Sequence, residues 1–130
     1  MIRVVDHSLA SVKGVLVHGP AGIGKTLAVS TVLQRIKARL GNDLTIVKLT
    51  PADFVESKDQ GKVLKAAFEE VVTCGRPAVL WVEEIDYIAK TKNLFYSFLA
   101  ELDKCSGERV LVIATTSKLA DVDKSLRRGG

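Results

Sequence analysis

Gly19-Pro20-Ala21-Gly22-Ile23-Gly24-Lys25-Thr26 decides the fold. The stretch satisfies G-x-x-x-x-G-K-[ST] and follows directly on the apolar run Gly14-Val15-Leu16-Val17-His18, so the pattern sits where a strand hands over to a helix. Its glycines allow the backbone to fold around a diphosphate with several N–H groups pointing inward. Lys25 is placed to reach the β and γ phosphates, and the Thr26 hydroxyl to ligate magnesium. A helix starting near Lys25 adds its positive end. The expected ligand is a nucleoside triphosphate with Mg²⁺.

Outward from this loop, short apolar runs alternate with segments of helical period, as in a parallel sheet covered by helices. Residues 15–17 read as the first strand. The helix after the loop carries Ala28, Val32, Leu33, Ile36 and Leu40 at spacings of three and four and stops at Gly41-Asn42. A second strand is expected over 44–49, where Pro51 breaks the chain. A helix then presents Val63, Leu64, Ala67, Phe68 and Val71 and ends around Cys74-Gly75, before Pro77. Residues 78–82 form a continuous apolar third strand, Leu94, Phe95, Phe98, Leu99 and Leu102 a third helix, and residues 109–114 a fourth strand. Asp121 or Asp123 is the expected cap of a last short helix through Leu126.

Composition bounds the class. The chain of 130 residues is long enough for one domain with a sizeable core, and 47% hydrophobic against 26% charged residues argues against disorder. No apolar run approaches the length of a membrane span, and Met1-Ile2-Arg3-Val4-Val5-Asp6 lacks the apolar core of a signal peptide, so a cytoplasmic protein, at most peripheral to an organelle membrane, is expected. Cys74 and Cys105 show no metal-ligand spacing and are expected to be reduced. The net charge of +4 is dispersed and aromatics make up 5%, so direct nucleic-acid binding is not expected.

A phosphate loop needs a carboxylate at the end of a neighbouring strand to hold the metal, and another group to orient the attacking water. Val79-Leu80-Trp81-Val82-Glu83-Glu84-Ile85-Asp86 supplies both: Glu83 for the metal and Glu84 for the water.

These residues carry a resemblance. The stretch from Gly14 to Thr26 resembles the opening strand and loop of AAA+ ATPases, and Glu83-Glu84-Ile85-Asp86-Tyr87-Ile88 is similar to their Asp-Glu-Ile-Asp segment. Residues 93–103, ending Leu99-Ala100-Glu101-Leu102-Asp103, resemble the helix before the family's fourth strand. Val110-Leu111-Val112-Ile113-Ala114-Thr115-Thr116-Ser117, followed by Leu126-Arg127-Arg128, is similar to its sensor-1 strand and arginine-finger segment. The resemblance is nearest the protein-remodelling branch with its valosin-like, NSF-like and peroxisomal ATPases.

The resemblance implies a three-layer α/β/α sandwich of the P-loop NTPase type, with a parallel sheet in the order 1-4-3-2. It implies ATP and Mg²⁺ as ligands, neighbouring AAA+ subunits in a ring that is hexameric in the parent, and a protein substrate. Carried over by position, Gly19, Pro20, Ala21, Gly22, Ile23, Gly24, Lys25 and Thr26, with Leu27, would bind ATP. Thr26 and Glu83 would serve magnesium, and Glu84 would polarise the lytic water. Ser117, with Thr116 as runner-up, would contact the γ-phosphate or the water. Arg128, with Arg127 as the lesser candidate, would reach into the neighbouring subunit's site.

The chain departs from the family pattern at several points. Glu83 stands where Asp is usual and Ser117 where Asn is commoner, which makes hydrolysis less certain than binding. The aromatic-Val-Gly pore loop is absent: Val55-Glu56-Ser57-Lys58-Asp59-Gln60-Gly61 occupies its place, with Phe54-Val55 as a shifted remnant at most. The family continues into a fifth strand and a helical lid, so residues 1–130 are expected to be the large nucleotide-binding subdomain of a longer protein. Taken alone, this piece is expected to bind ATP weakly or not at all, to be nearly inactive, and to self-associate at an exposed edge of the first strand through edge pairing or exchange of a terminal segment. Two further readings stay open, a non-hydrolysing ATP-bound scaffold and a nucleic-acid-associated initiator, the latter because of Arg35-Ile36-Lys37-Ala38-Arg39.

Overall fold

The computed structural model describes residues 3–9, 12–20, 24–105, 109–122 and 124, with side chains described from Gly14 onward except Asn42. In chain order the elements are β1 (Arg3–Leu9), β2 (Val12–His18), α1 (Gly24–Leu40), β3 (Thr45–Leu49), α2 (Pro51–Val55), α3 (Gln60–Thr73), β4 (Ala78–Val82), α4 (Asp86–Ala89), α5 (Lys92–Lys104) and β5 (Val110–Thr116). They build one sheet in the order β1-β2-β5-β4-β3. Strands β2, β5, β4 and β3 run parallel, which is the expected order 1-4-3-2.

The outer edge of β2, expected to lie open, instead carries β1 in antiparallel register from Arg3↔His18 to Leu9↔Val12. This removes the edge that was expected to drive self-association. Among the described residues, β1 and β3 are the outer strands of the sheet.

Both faces of the sheet are covered. In β4 no residue exceeds 7% exposure, which is why its five residues read as an unbroken apolar run. On one face Leu16, Leu80, Val82, Val112 and Ala114 pack with Leu64, Phe68 and Val71 of α3 and Leu94, Phe95 and Phe98 of α5. On the other face α1 packs Val29 and Leu33 against Val17, Val79, Trp81 and Ile113. The buried stripe of α1 is therefore Lys25, Val29 and Leu33, one turn apart, whereas Val32 and Leu40 are exposed. The expected stripe mixed two neighbouring rows of the helix, and only one of them meets the sheet.

Pro51 opens α2 rather than breaking the chain. A proline at the first helical position loses no intrahelical hydrogen bond, and Thr50 with Asp53 forms a reciprocal cap. Phe54 is buried by this turn and lies with its ring centroid 5.8 Å from that of Tyr87, so it belongs to the core and presents no aromatic to solvent. Gly75, at φ +70°, follows α3 in the left-handed conformation that glycine adopts without strain, as expected of the stop at Cys74-Gly75. Residues 119–122 are helical and Asp121 lies inside that turn, so it is not its cap. Asp123 and Leu126 fall outside the described residues.

Candidate active site

The ends of β2, β4 and β5 that carry the candidate site residues lie side by side because the strands are parallel, and α1 begins at the same end. Of the loop, Gly19, Pro20, Gly24, Lys25 and Thr26 are described, whereas Ala21, Gly22 and Ile23 lie outside the described residues. Lys25 is 3% exposed and its ammonium donates to the carbonyls of Gly19 at 3.2 Å and Pro20 at 2.7 Å. Among the described residues, no carboxylate is paired with it. A buried cation resting on carbonyl oxygens alone is an incompletely compensated charge, the environment that an anion would complete. Leu27, on the same turn, is 57% exposed.

Glu83 continues the alternation of β4. Residues 79 and 81 face α1, and Glu83 follows on that side, where its Oε1 accepts the Thr26 hydroxyl at 3.3 Å. Its N–H donates to Leu49 O at 2.8 Å, which ties the strand end to β3. Glu84 then leaves the alternation. At φ +52° it occupies the left-handed region, uncommon for a residue with a Cβ, and costs on the order of 1–3 kcal/mol. Two bonds to β5 hold it there: its N–H donates to Thr115 Oγ1 at 3.1 Å, and the Ile85 N–H donates to Thr115 O at 2.9 Å. The Ser117 hydroxyl donates to Glu84 Oε2 at 3.2 Å, so the last polar residue of the β5 segment touches the candidate water-activating acid.

Thr116 does something else. It is fully buried and its hydroxyl donates to Asp86 Oδ1 at 2.7 Å while accepting the Lys118 N–H at 2.9 Å. The runner-up for the sensor position is thus committed to bracing the turn that presents Ser117. Thr116→Val leaves the buried Asp86 carboxylate without that donor, and is expected to cost about 1–3 kcal/mol in urea unfolding. An unchanged midpoint would show that water replaces the bond. Sequence reasoning passed over Thr115, Asp86 and Lys48 as site-building residues. For Thr115 and Asp86 the signal was present, since two adjacent threonines ending an apolar strand and an acid after a strand end both call for partners. Arg127 and Arg128 lie outside the described residues.

The donor set fits magnesium. A hydroxyl and a carboxylate, both hard oxygen donors, adjoin at the loop, and among the described residues no group of three or more His, Cys, Asp or Glu side chains gathers to hold a metal without help from phosphates. No helix among the described residues is long and apolar enough to cross a membrane.

The comparisons with known proteins agree with this geometry. The model of the ATPase family associated with various cellular activities (AAA) matches residues 15–130. An AAA ATPase forming ring-shaped complexes from Bifidobacterium animalis subsp. lactis is 27% identical over 94% of this chain and 26% of its own length. The nuclear valosin-containing protein-like protein of Mus musculus is 30% identical over 91% of this chain and 15% of its own. The cell division control protein 48 homolog B of Arabidopsis thaliana is 29% identical over 91% and 21%. The chain therefore spans about a quarter or less of these relatives. A structure solved for katanin self-assembly superposes with a TM-score of 0.63 at 27% identity, covering 88% of this chain and 36% of that one. With a phosphate loop, paired acids and a sheet of the expected strand order, matched by the family model over residues 15–130, the chain belongs to the AAA family of ATPases.

Proposed function

We propose that this chain is the large nucleotide-binding subdomain of a longer AAA+ protein that binds ATP with magnesium, hydrolyses it at a site shared between neighbouring subunits of a ring, and uses the cycle to remodel a protein partner. The observation that carries the reading is the pair of side-chain contacts Thr26–Glu83 and Ser117–Glu84, which join the loop helix, the end of β4 and the end of β5 at one place. The relatives named as ring-forming and valosin-like support the assembly and the remodelling role.

Each residue has its work. Lys25 would exchange loop carbonyls for phosphate oxygens, and Thr26 and Glu83 would hold the metal. Magnesium, when bound, neutralises charge on the phosphates. Glu84 takes the proton of the attacking water, with Ser117 holding one carboxylate oxygen so that the other faces the reaction. Arg128 of one subunit completes the site of the next, a contribution worth on the order of 10³ to 10⁵ in rate in comparable enzymes.

A site shared in this way makes turnover per subunit depend on assembly. ATPase activity of the intact protein, measured across a dilution series, is expected to fall per subunit as light scattering reports dissociation. Adding inactive Glu84→Gln subunits with intact arginines to Arg128→Ala subunits is expected to restore turnover in part. Concentration-independent turnover by a monomer would overturn the shared site. Tight ATP binding with no turnover in any assembly state would favour the scaffold reading.

A further inference from the structure

Lys48 belongs to none of the motifs. It lies in β3, in register with Trp81 of β4, where a lysine on an edge strand is ordinarily solvated surface. Here its side chain crosses to the neighbouring strand. Its ammonium lies 4.4 Å from the centroid of the Trp81 ring and 3.6 Å from Glu83 Oε1, with side-chain exposures of 44% for Lys48 and 21% for Glu83. Oε1 is also the oxygen that accepts the Thr26 hydroxyl. Among the described residues both contacts fall on this one oxygen, and Oε2 takes part in neither.

We propose that Lys48 is a tethered counter-cation for Glu83, a positioning residue that holds the carboxylate in the absence of a divalent ion and competes with magnesium for it. The inference rests on the reading of Glu83 as the magnesium carboxylate. A Glu in place of an Asp has one more torsion to fix, and the Lys48 contact fixes it. The Trp81 face in turn keeps the ammonium in place, because the ring quadrupole attracts a cation. The same charge repels a divalent ion at the carboxylate and attracts a bare triphosphate. Repulsion between a unit and a double charge at adjoining positions outweighs the ordering of one torsion even under nearly aqueous screening. Removing the charge therefore has two consequences of one sign: ATP alone binds more weakly, and magnesium strengthens ATP binding by a larger factor.

The test compares ATP affinity by calorimetry in EDTA and in excess magnesium for the intact wild-type protein, Lys48→Met and Lys48→Arg, each checked for folding by circular dichroism. Methionine keeps an apolar stem and a sulfur on the aromatic ring, whereas arginine keeps the charge and stacks on the same face. The ratio of the dissociation constant in EDTA to that in magnesium is expected to rise about three- to tenfold in Lys48→Met and to stay within about twofold of wild type in Lys48→Arg. A ratio in Lys48→Met equal to or below that of wild type would overturn the inference while leaving the role of Glu83 standing. So would an Arg variant that behaves like Met, because packing rather than charge would then be responsible. A wild-type affinity indifferent to magnesium would remove the reading of Glu83 itself, and the inference with it.

Discussion

Replacing Glu84 by Gln is expected to leave ATP bound in the presence of magnesium and to lower turnover by about 10² to 10⁴, the usual contribution of a positioned general base. The amide cannot take the proton of the attacking water. It still offers an oxygen to the Ser117 hydroxyl, and the main-chain bonds to Thr115 that hold residue 84 at positive φ do not involve the side chain. The change is therefore local, and phosphate release under single-turnover conditions, alongside calorimetric affinity, measures it. Glu83→Gln should behave differently, weakening the magnesium dependence of binding before it affects the chemical step. Unchanged turnover in Glu84→Gln would take the residue out of the reaction.

Lys25→Met should abolish measurable ATP binding. Two charge-assisted contacts to phosphate oxygens, each worth about 1.5–3 kcal/mol, translate into a loss of affinity of at least about 100-fold. The structure adds a second expectation of opposite sign. In the protein without nucleotide the ammonium is buried on two carbonyls with no carboxylate paired to it among the described residues, and an apolar side chain of similar length removes that burden. Lys25→Met should thus be at least as stable as the wild type in urea unfolding while failing to bind. Equal ATP affinity in the two proteins would remove Lys25 from the phosphate site.

The parallel part of the fold was legible because each of its strands contains a short apolar stretch and each long helix carries an apolar stripe. Residues 78–82 could hardly be read otherwise. The unexpected strand, Arg3–Leu9, mixes Arg3, Asp6, His7 and Ser8 with apolar residues, as an outer antiparallel strand does, so no continuous run marks it. The short helix α2 was hidden by Pro51, which ends helices in their interiors and starts them at the first position. That Lys25, Thr26, Glu83 and Glu84 belong to one candidate site could be proposed from sequence because their spacing is local to a loop and a strand end. Lys48 was not, because its meaning depends on lying opposite Trp81, and cross-strand register is set by the whole sheet. The bracing of Ser117 by Thr116 and Asp86 was hidden for the same reason, since it joins two segments that only the tertiary fold brings together.

The pairing of β2 on its two sides differs in the length of chain that each must close. On one side Val12 meets Leu9, a close neighbour in the chain, and on the other Gly14 must find Val112, far along the chain. Closing so long a segment costs far more chain entropy before any contact repays it, and it must wait until the intervening helices have shortened the path. The hairpin is therefore expected to form before β5 docks beside β2. Ser117 and the Thr115 acceptors that hold the turn at Glu84 belong to β5 and its end, so the candidate site is expected to be completed only when β5 docks.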